Sequence, residues 1–306
     1  MPNRLLLALS HQQGLARFAM NDVRLRPLVL RFVAGESLAE AIAVVRDLNA
    51  LGMTATLDHL GENTTDPAGA MAAAEAYVTA LRAIAEDGLD ANISVKLTAM
   101  GLDLGDSCAE QTLTKVLAHA RDLDIFVGVD MESSQYTART LELLEHVRGA
   151  GFLNTGPAIQ AYLYRSAADV ERLIEDGVRV RLVKGAYDEA PNVAFRRKRD
   201  TDRNYVRLMK RLLSGGVYPA IATHDEAIIE QALAFARQQG IGPDRYEFQM
   251  LYGVRRDLQR RLVDDGFNVR IYVPYGTQWY PYLVRRLAER PANLGFLLGS
   301  LARDAG

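Results

Sequence analysis

The chain has a single cysteine, Cys108, in 306 residues. That excludes an internal disulfide and any cysteine-built metal cluster, and it fits a reducing compartment. Lysine is scarce as well. Lys96, Lys115, Lys184, Lys198 and Lys210 are all there are among 36 basic residues, so arginine carries most of the positive charge and a lysine at the end of a strand stands out. The formal net charge is only -2, which gives no bulk attraction to nucleic acid or anionic lipid. No apolar run approaches the ~20 residues a membrane helix needs, and Leu5 to Leu9 is too short for the core of a secretion signal. The expected location is cytoplasmic, or peripheral to the inner face of a membrane. No HxH or HExxH spacing pairs the histidines, which argues against a metal centre. The dinucleotide glycine fingerprint is missing too. Its nearest match, Gly149-Ala150-Gly151-Phe152-Leu153-Asn154, follows a helical segment, lacks the third glycine and reads as a helix stop and turn. A nucleotide bound here is not held in a Rossmann crevice.

What is present is an ordinary globular composition, 49% hydrophobic and 24% charged, with no sign of disorder. A chain of this length buries a large core, as two domains or one α/β barrel. Short β-branched runs recur at Leu28 to Val33, Thr54 to Leu57, Ile93 to Leu97, Ile125 to Val129, Pro157 to Ala161, Val178 to Val183, Tyr218 to Ala222, Tyr246 to Leu251 and Val269 to Val273. Segments of helical period separate them, and Gly52, Gly88, Gly240 and Gly266 stand where helix C-caps favour glycine. This alternation predicts βαβ units and a (β/α)8 barrel. Nine runs compete for eight places. The expected register starts the barrel at Thr54. It makes residues 1–52 flanking helices and a strand, and residues 53–306 the barrel of one catalytic domain.

In such a barrel, chemistry sits at the carboxyl ends of the strands. Those ends read Asp58-His59, Lys96, Asp130-Met131-Glu132, Gln160, Arg181 with Lys184-Gly185-Ala186-Tyr187, Thr223-His224-Asp225, Leu251-Tyr252-Gly253, and Tyr272 with Tyr275-Gly276. Each has a plain structural reading. Asp130 would serve as a helix N-cap, Lys96 would snorkel from the rim, and Arg196-Arg197-Lys198-Arg199 would be a solvated face or lie near an anionic cofactor tail. Jointly, so many polar groups at one rim point to a site. A lysine at a strand end also suits Schiff-base chemistry, through Lys184 or Lys96.

The segment from Pro281 to Pro291 is framed as a helix by its two prolines. On it Tyr282, Arg285, Arg286 and Glu289 fall on one face. Adjacent arginines facing a pocket suit a small carboxylate, which a guanidinium fork holds in bidentate fashion. The alternative is a solvated basic face.

Six stretches in order, Ser94-Val95-Lys96-Leu97, Asp130-Met131-Glu132, Gln160-Ala161-Tyr162, Arg181-Leu182-Val183-Lys184-Gly185-Ala186-Tyr187, Ala222-Thr223-His224 and Tyr282-Leu283-Val284-Arg285-Arg286, resemble the FAD-dependent proline dehydrogenase family. The likeness extends to the dehydrogenase domain of bifunctional proline-catabolic proteins, and the length matches the single-function form. The resemblance implies a distorted (β/α)8 barrel with helix eight drawn over the strand ends. It implies oxidation of L-proline to 1-pyrroline-5-carboxylate by hydride transfer from C5 to FAD N5, with electrons passed to a membrane quinone. By the same resemblance, Asp130 and Arg181 are the active-site polar pair. Lys96, Arg285 and Arg286 hold the substrate carboxylate, and Tyr272, Tyr282 and Leu251 wall the pyrrolidine ring. Met131, Gln160, Arg181, Lys184, Gly185, Ala186, Thr223 and His224 contact the flavin, and Glu62 belongs to a gate over the substrate. Other readings of the residues are a flavin barrel of the folate-reductase type, a Schiff-base aldolase, and a non-catalytic binding module touching lipid through the apolar tail Leu294 to Leu301.

Overall fold

The structure, a computed structural model, describes residues 26–283. Arg285, Arg286, Glu289 and the tail Leu294 to Leu301 lie outside the described residues. Two helices come first, α1 (Arg26–Phe32) and α2 (Leu38–Ala50). Eight strands follow: β1 (Thr54–His59), β2 (Ala91–Val95), β3 (Val127–Val129), β4 (Thr155–Gln160), β5 (Arg181–Val183), β6 (Ala220–Ala222), β7 (Glu247–Leu251) and β8 (Val269–Tyr275). Between them run α3 (Pro67–Glu86), α4 (Asp106–Asp122), α5 (Ser134–Gly149), α6 (Ser166–Glu175), α7 (Lys198–Gly215), α8 (Glu226–Gln239) and α9 (Arg256–Asp264). The strands close a barrel in sequence order. All neighbours are parallel, and the seam runs from Thr54↔Arg270 to His59↔Tyr275.

Local chemistry sets the helix ends. The Ser37 hydroxyl accepts from the Glu40 amide at 3.3 Å while the Glu40 carboxylate accepts from the Ser37 amide at 3.0 Å, a reciprocal cap at the start of α2. Asp66 caps α3 through the Gly69 amide at 2.9 Å, with Pro67 at the first helical position. Gly240 ends α8 with φ 67°, a left-handed conformation that costs glycine nothing.

The first apolar run departs from expectation. Leu28 to Val33, read as a strand, lies mostly in helix α1. No barrel neighbour is left for it once the eight strands are paired, and an isolated run cannot satisfy its backbone as a strand. Val29, Phe32 and Val33 pack instead with Leu60, Trp279, Tyr282 and Leu283 in a satellite core. The amide of Ala34 donates to the Pro274 carbonyl at 2.9 Å, and that of Gly276 to the Gly35 carbonyl at 3.0 Å. This segment therefore sits against the carboxyl end of β8.

The main core lies between barrel and helices, where Tyr77, Leu81, Ile93, Leu117, Leu182 and Tyr205 are almost fully buried. The barrel interior is more polar than branched aliphatics would make it. Near its amino end the Glu247 carboxylate, 1% exposed, accepts both its contacts with Arg270 Nε at 3.1 Å, one from Arg179 at 2.9 Å and one from Gln249 at 2.6 Å. Burial alone would raise its pKa, but Arg270 and Arg179 outweigh that and hold it below the usual glutamate value. Such a charge survives inside a protein only when it is paired in this way.

Candidate active site

A cavity of about 710 Å³ opens at the carboxyl ends of the strands. Its floor is an ion cluster built by inward-pointing residues of five strands or their ends. Asp130 follows β3, and its Oδ1 accepts from the Ser94 hydroxyl of β2 at 2.6 Å and from Arg181 Nη1 of β5 at 2.6 Å. Its Oδ2 accepts from the Tyr272 hydroxyl of β8 and lies 3.4 Å from Lys96 Nζ. Lys96 makes its shorter contact with Asp58 Oδ1 at 2.7 Å. The Arg181 guanidinium also lies over the Tyr272 ring, 5.1 Å from its centroid, a cation–π contact.

Small residues make room for this arrangement. A Cβ on Gly128 would come within 3.1 Å of both Arg181 Nη2 and the Ser94 hydroxyl, so the glycine of β3 is what lets the guanidinium reach across the barrel. Burial pushes the Asp130 carboxyl up, but Lys96 and Arg181 together overcome it and hold its pKa below the usual aspartate value. Asp58 goes the other way, since burial exceeds the pull of Lys96 and leaves its pKa raised. Burial also holds the Tyr272 hydroxyl well above the tyrosine value, so it stays a hydrogen-bond donor.

The opposite wall is the turn after β5. Gly185 has φ 116°, and a Cβ there would fall 2.3 Å from the Tyr162 ring. A larger residue would be strained and would collide. Lys184 Nζ donates to Asp202 at 2.6 Å and Asp225 at 2.9 Å. Two carboxylates suit a fixed charge rather than a Schiff-base nucleophile. Lys198 of the basic run joins the same two aspartates, while Arg196, Arg197 and Arg199 are exposed. Gln160 donates to the Glu132 carbonyl at 2.8 Å. His224 Nε2 accepts from the Leu251 amide at 2.9 Å, which assigns that nitrogen as unprotonated.

Lys96, Asp130, Met131, Gln160, Arg181, Lys184, Gly185, Ala186, Thr223, His224, Leu251, Tyr272, Tyr282 and Glu62 all line this one cavity. Arg285 and Arg286 lie outside the described residues, although helical conformation at residues 279–283 brings Tyr282 to its wall. Sequence reasoning gave no role to Asp58, Ser94, Asp202 or Gln249. Strand period marks two of them. Ser94 stands two residues before Lys96 and Gln249 two before Leu251, so each shares an inward face with a residue already singled out.

The family profile described as Proline dehydrogenase matches residues 41–298. Proline dehydrogenase 1 of Bacillus subtilis (strain 168) is 40% identical over 303 residues, covering 99% of this chain and 100% of the relative. Proline dehydrogenase of Deinococcus radiodurans is 39% identical over 280 residues, 90% of each chain. The crystal structure of proline utilization A (PutA) from Bdellovibrio bacteriovorus inactivated by N-propargylglycine superposes with a TM-score of 0.82 and 29% identity. The match covers 92% of this chain and 34% of that longer one. With a profile spanning most of its length and relatives this similar end to end, the chain belongs to the proline dehydrogenase family.

Proposed function

We propose that this chain oxidises L-proline to 1-pyrroline-5-carboxylate, as a step of proline catabolism, within one catalytic domain that uses FAD as its resident cofactor. The observation that carries the reading is the charged floor of Lys96, Asp130, Arg181 and Tyr272 beneath a large cavity with a glycine turn on its other wall. Family membership supports the substrate and the flavin.

The residues fit a flavin. A volume of about 710 Å³ is in the range of cofactor sites. Arg181 Nε is buried without a hydrogen-bond partner among the described residues, a donor that a polar ring edge would satisfy. Gly185 lines the cavity with φ 116°, and a Cβ there would strike the Tyr162 ring, so glycine is what lets this turn of the wall take its course. Met131, Gln160, Arg181, Lys184, Gly185, Ala186, Thr223 and His224 would hold the group, with Lys198 and Arg255 adding cations at the same wall. When bound, FAD supplies the two-electron acceptor for the hydride that leaves proline C5.

The chain's own residues bind and orient. Lys96, with Arg285 and Arg286, clamps the carboxylate. Tyr272, Tyr282 and Leu251 enclose the pyrrolidine ring. Pre-orientation of this kind contributes up to ~7 kcal/mol of the barrier. Arg181, pinned by Asp130 and Ser94, holds a fixed positive charge where negative charge gathers on the acceptor side, so little reorganisation accompanies the reaction. Asp130 keeps Arg181 and Lys96 apart and oriented, and its lowered pKa keeps it ionised for that task.

The electrons pass on to a membrane quinone, a reading supported by the family alone, with the protein meeting the membrane peripherally. No helix among the described residues is long and apolar enough to cross a membrane. The deciding measurement is the visible spectrum of FAD-loaded protein under anaerobic conditions. Addition of L-proline should bleach the flavin bands. Protein that takes up no FAD, or whose bands do not change, would overturn the assignment.

A further inference from the structure

Asp58 ends the inward face of β1, and its side chain is 1% exposed. It lines the cavity floor, yet the roles assigned above do not use it. Among the described residues its one ion pair is with Lys96. Asp130 is shared among Arg181, Ser94, Tyr272 and Lys96, and its distance to Lys96 is the longer by far, 3.4 Å against 2.7 Å. An ammonium has three donors. One is fixed on Asp58, one leans toward Asp130, and one remains for the cavity.

We propose that Asp58 is a positioning residue for the substrate carboxylate, holding the Lys96 ammonium in place and charged at the cavity floor. This rests on the proline reading of the site. Geometry carries it, and the electrostatics of Lys96 agree, while burial holds the Asp58 carboxyl above the usual aspartate value. Burial works against the Lys96 ammonium. Asp58 leads the groups that oppose burial, ahead of Tyr272, Asp130 and Tyr77, and the balance leaves the Lys96 pKa well above the lysine value. The other ionisable groups around the pair are His59 on β1, Arg181 on β5, Glu132 after β3 and Tyr275 on β8. Both members of the pair are nearly sealed from solvent, so the attraction between them is weakly screened.

Asp58→Asn keeps the shape and one acceptor but removes the charge. The Lys96 proton should then be lost at lower pH than in the wild type, and anion binding should fail as pH rises through that value. The test uses FAD-loaded protein and two ligands read by their perturbation of the flavin spectrum. Cyclopentanecarboxylate has the ring and the carboxylate without the amine. Cyclopentanol has the ring without the carboxylate or any ionisable group. In D58N, cyclopentanecarboxylate should bind roughly tenfold or more weakly on the alkaline side, with a smaller loss near neutrality, since a charge-assisted contact is at stake. Cyclopentanol should bind within about twofold of wild type at each pH, because it is uncharged and has no carboxylate for the ammonium to hold. Equal losses for both ligands, or no loss for either, would overturn the inference. If D58N does not fold, Asp58→Glu takes its place. It keeps the charge but displaces it by a methylene, so it should weaken the carboxylate ligand alone and retain the wild-type pH profile, whereas unchanged affinity overturns the proposal. Wild-type protein that is reduced by proline while the variants match it sinks this inference only. Wild-type protein that proline does not reduce sinks the proline reading and this inference with it.

Discussion

Glu247→Ala tests whether the polar inside of this barrel is held by charge pairing. The glutamate is 1% exposed and carries Arg270 at 3.1 Å and Arg179 at 2.9 Å. Its removal leaves two guanidinium groups at the amino end of the barrel without their shared counter-charge. Breaking a buried pair by deleting one partner costs ~3–5 kcal/mol, set against a total stability of ~5–15 kcal/mol. Arg179 also lies 4.7 Å from the Phe126 ring centroid and 4.6 Å from that of Tyr218, and Arg270 still donates to the Ala55 carbonyl at 2.7 Å. These contacts place the loss toward the lower end. Chemical denaturation should show the midpoint falling with the slope unchanged, and the thermal midpoint should drop by ~6 °C or more, at about 2–4 °C per kcal/mol for a sizeable domain. The double variant Glu247→Met, Arg270→Met should lose less than Glu247→Ala, because the second change removes a charge that the first had orphaned. pH gives an independent check. The folded protein holds the Glu247 pKa below its unfolded value, so its stabilisation is complete above the ordinary glutamate range and is lost as pH falls through the depressed value. The gap between wild type and Glu247→Ala should close in acid. A loss under ~1 kcal/mol, or a gap that does not change with pH, would refute the pairing argument.

Gly185→Ala should weaken FAD binding by displacing the turn after β5, because the new Cβ meets the Tyr162 ring at 2.3 Å with φ at 116°; flavin retained through gel filtration at the wild-type ratio would contradict this. Arg285→Met and Arg286→Met should each raise KM for proline about tenfold or more, the worth of a lost charge-assisted hydrogen bond, and an unchanged KM in both would remove them from the substrate clamp.

Much of the fold was legible in order and spacing. Eight β-branched runs from Thr54 onward, separated by helical segments, are enough to call for eight parallel strands, because each strand needs a crossover and each helix a face to cover. The boundaries were less legible. The run from Tyr218 predicts the start of β6 there, but Tyr218 takes φ 42° and the ladder begins at Ala220. The apolar run places Lys96 and Leu97 within a strand, yet their carbonyls accept from Met100 and Leu102 in a turn. Propensity acts residue by residue, whereas a strand ends where its neighbour stops pairing.

The candidate site divides along the same line. Residue types at strand ends are a local property, so Lys96, Asp130, Arg181 and the Lys184-Gly185-Ala186 turn could be picked out of the chain unaided. Which of them touch is not local. Asp58 and Lys96 are 38 positions apart and meet because β1 pairs with β2, whereas Asp130 and Tyr272, 142 apart, meet because β8 closes on β1. A carboxylate, an ammonium and a guanidinium acquire their protonation behaviour from burial and from one another, and those distances exist only once the barrel has closed.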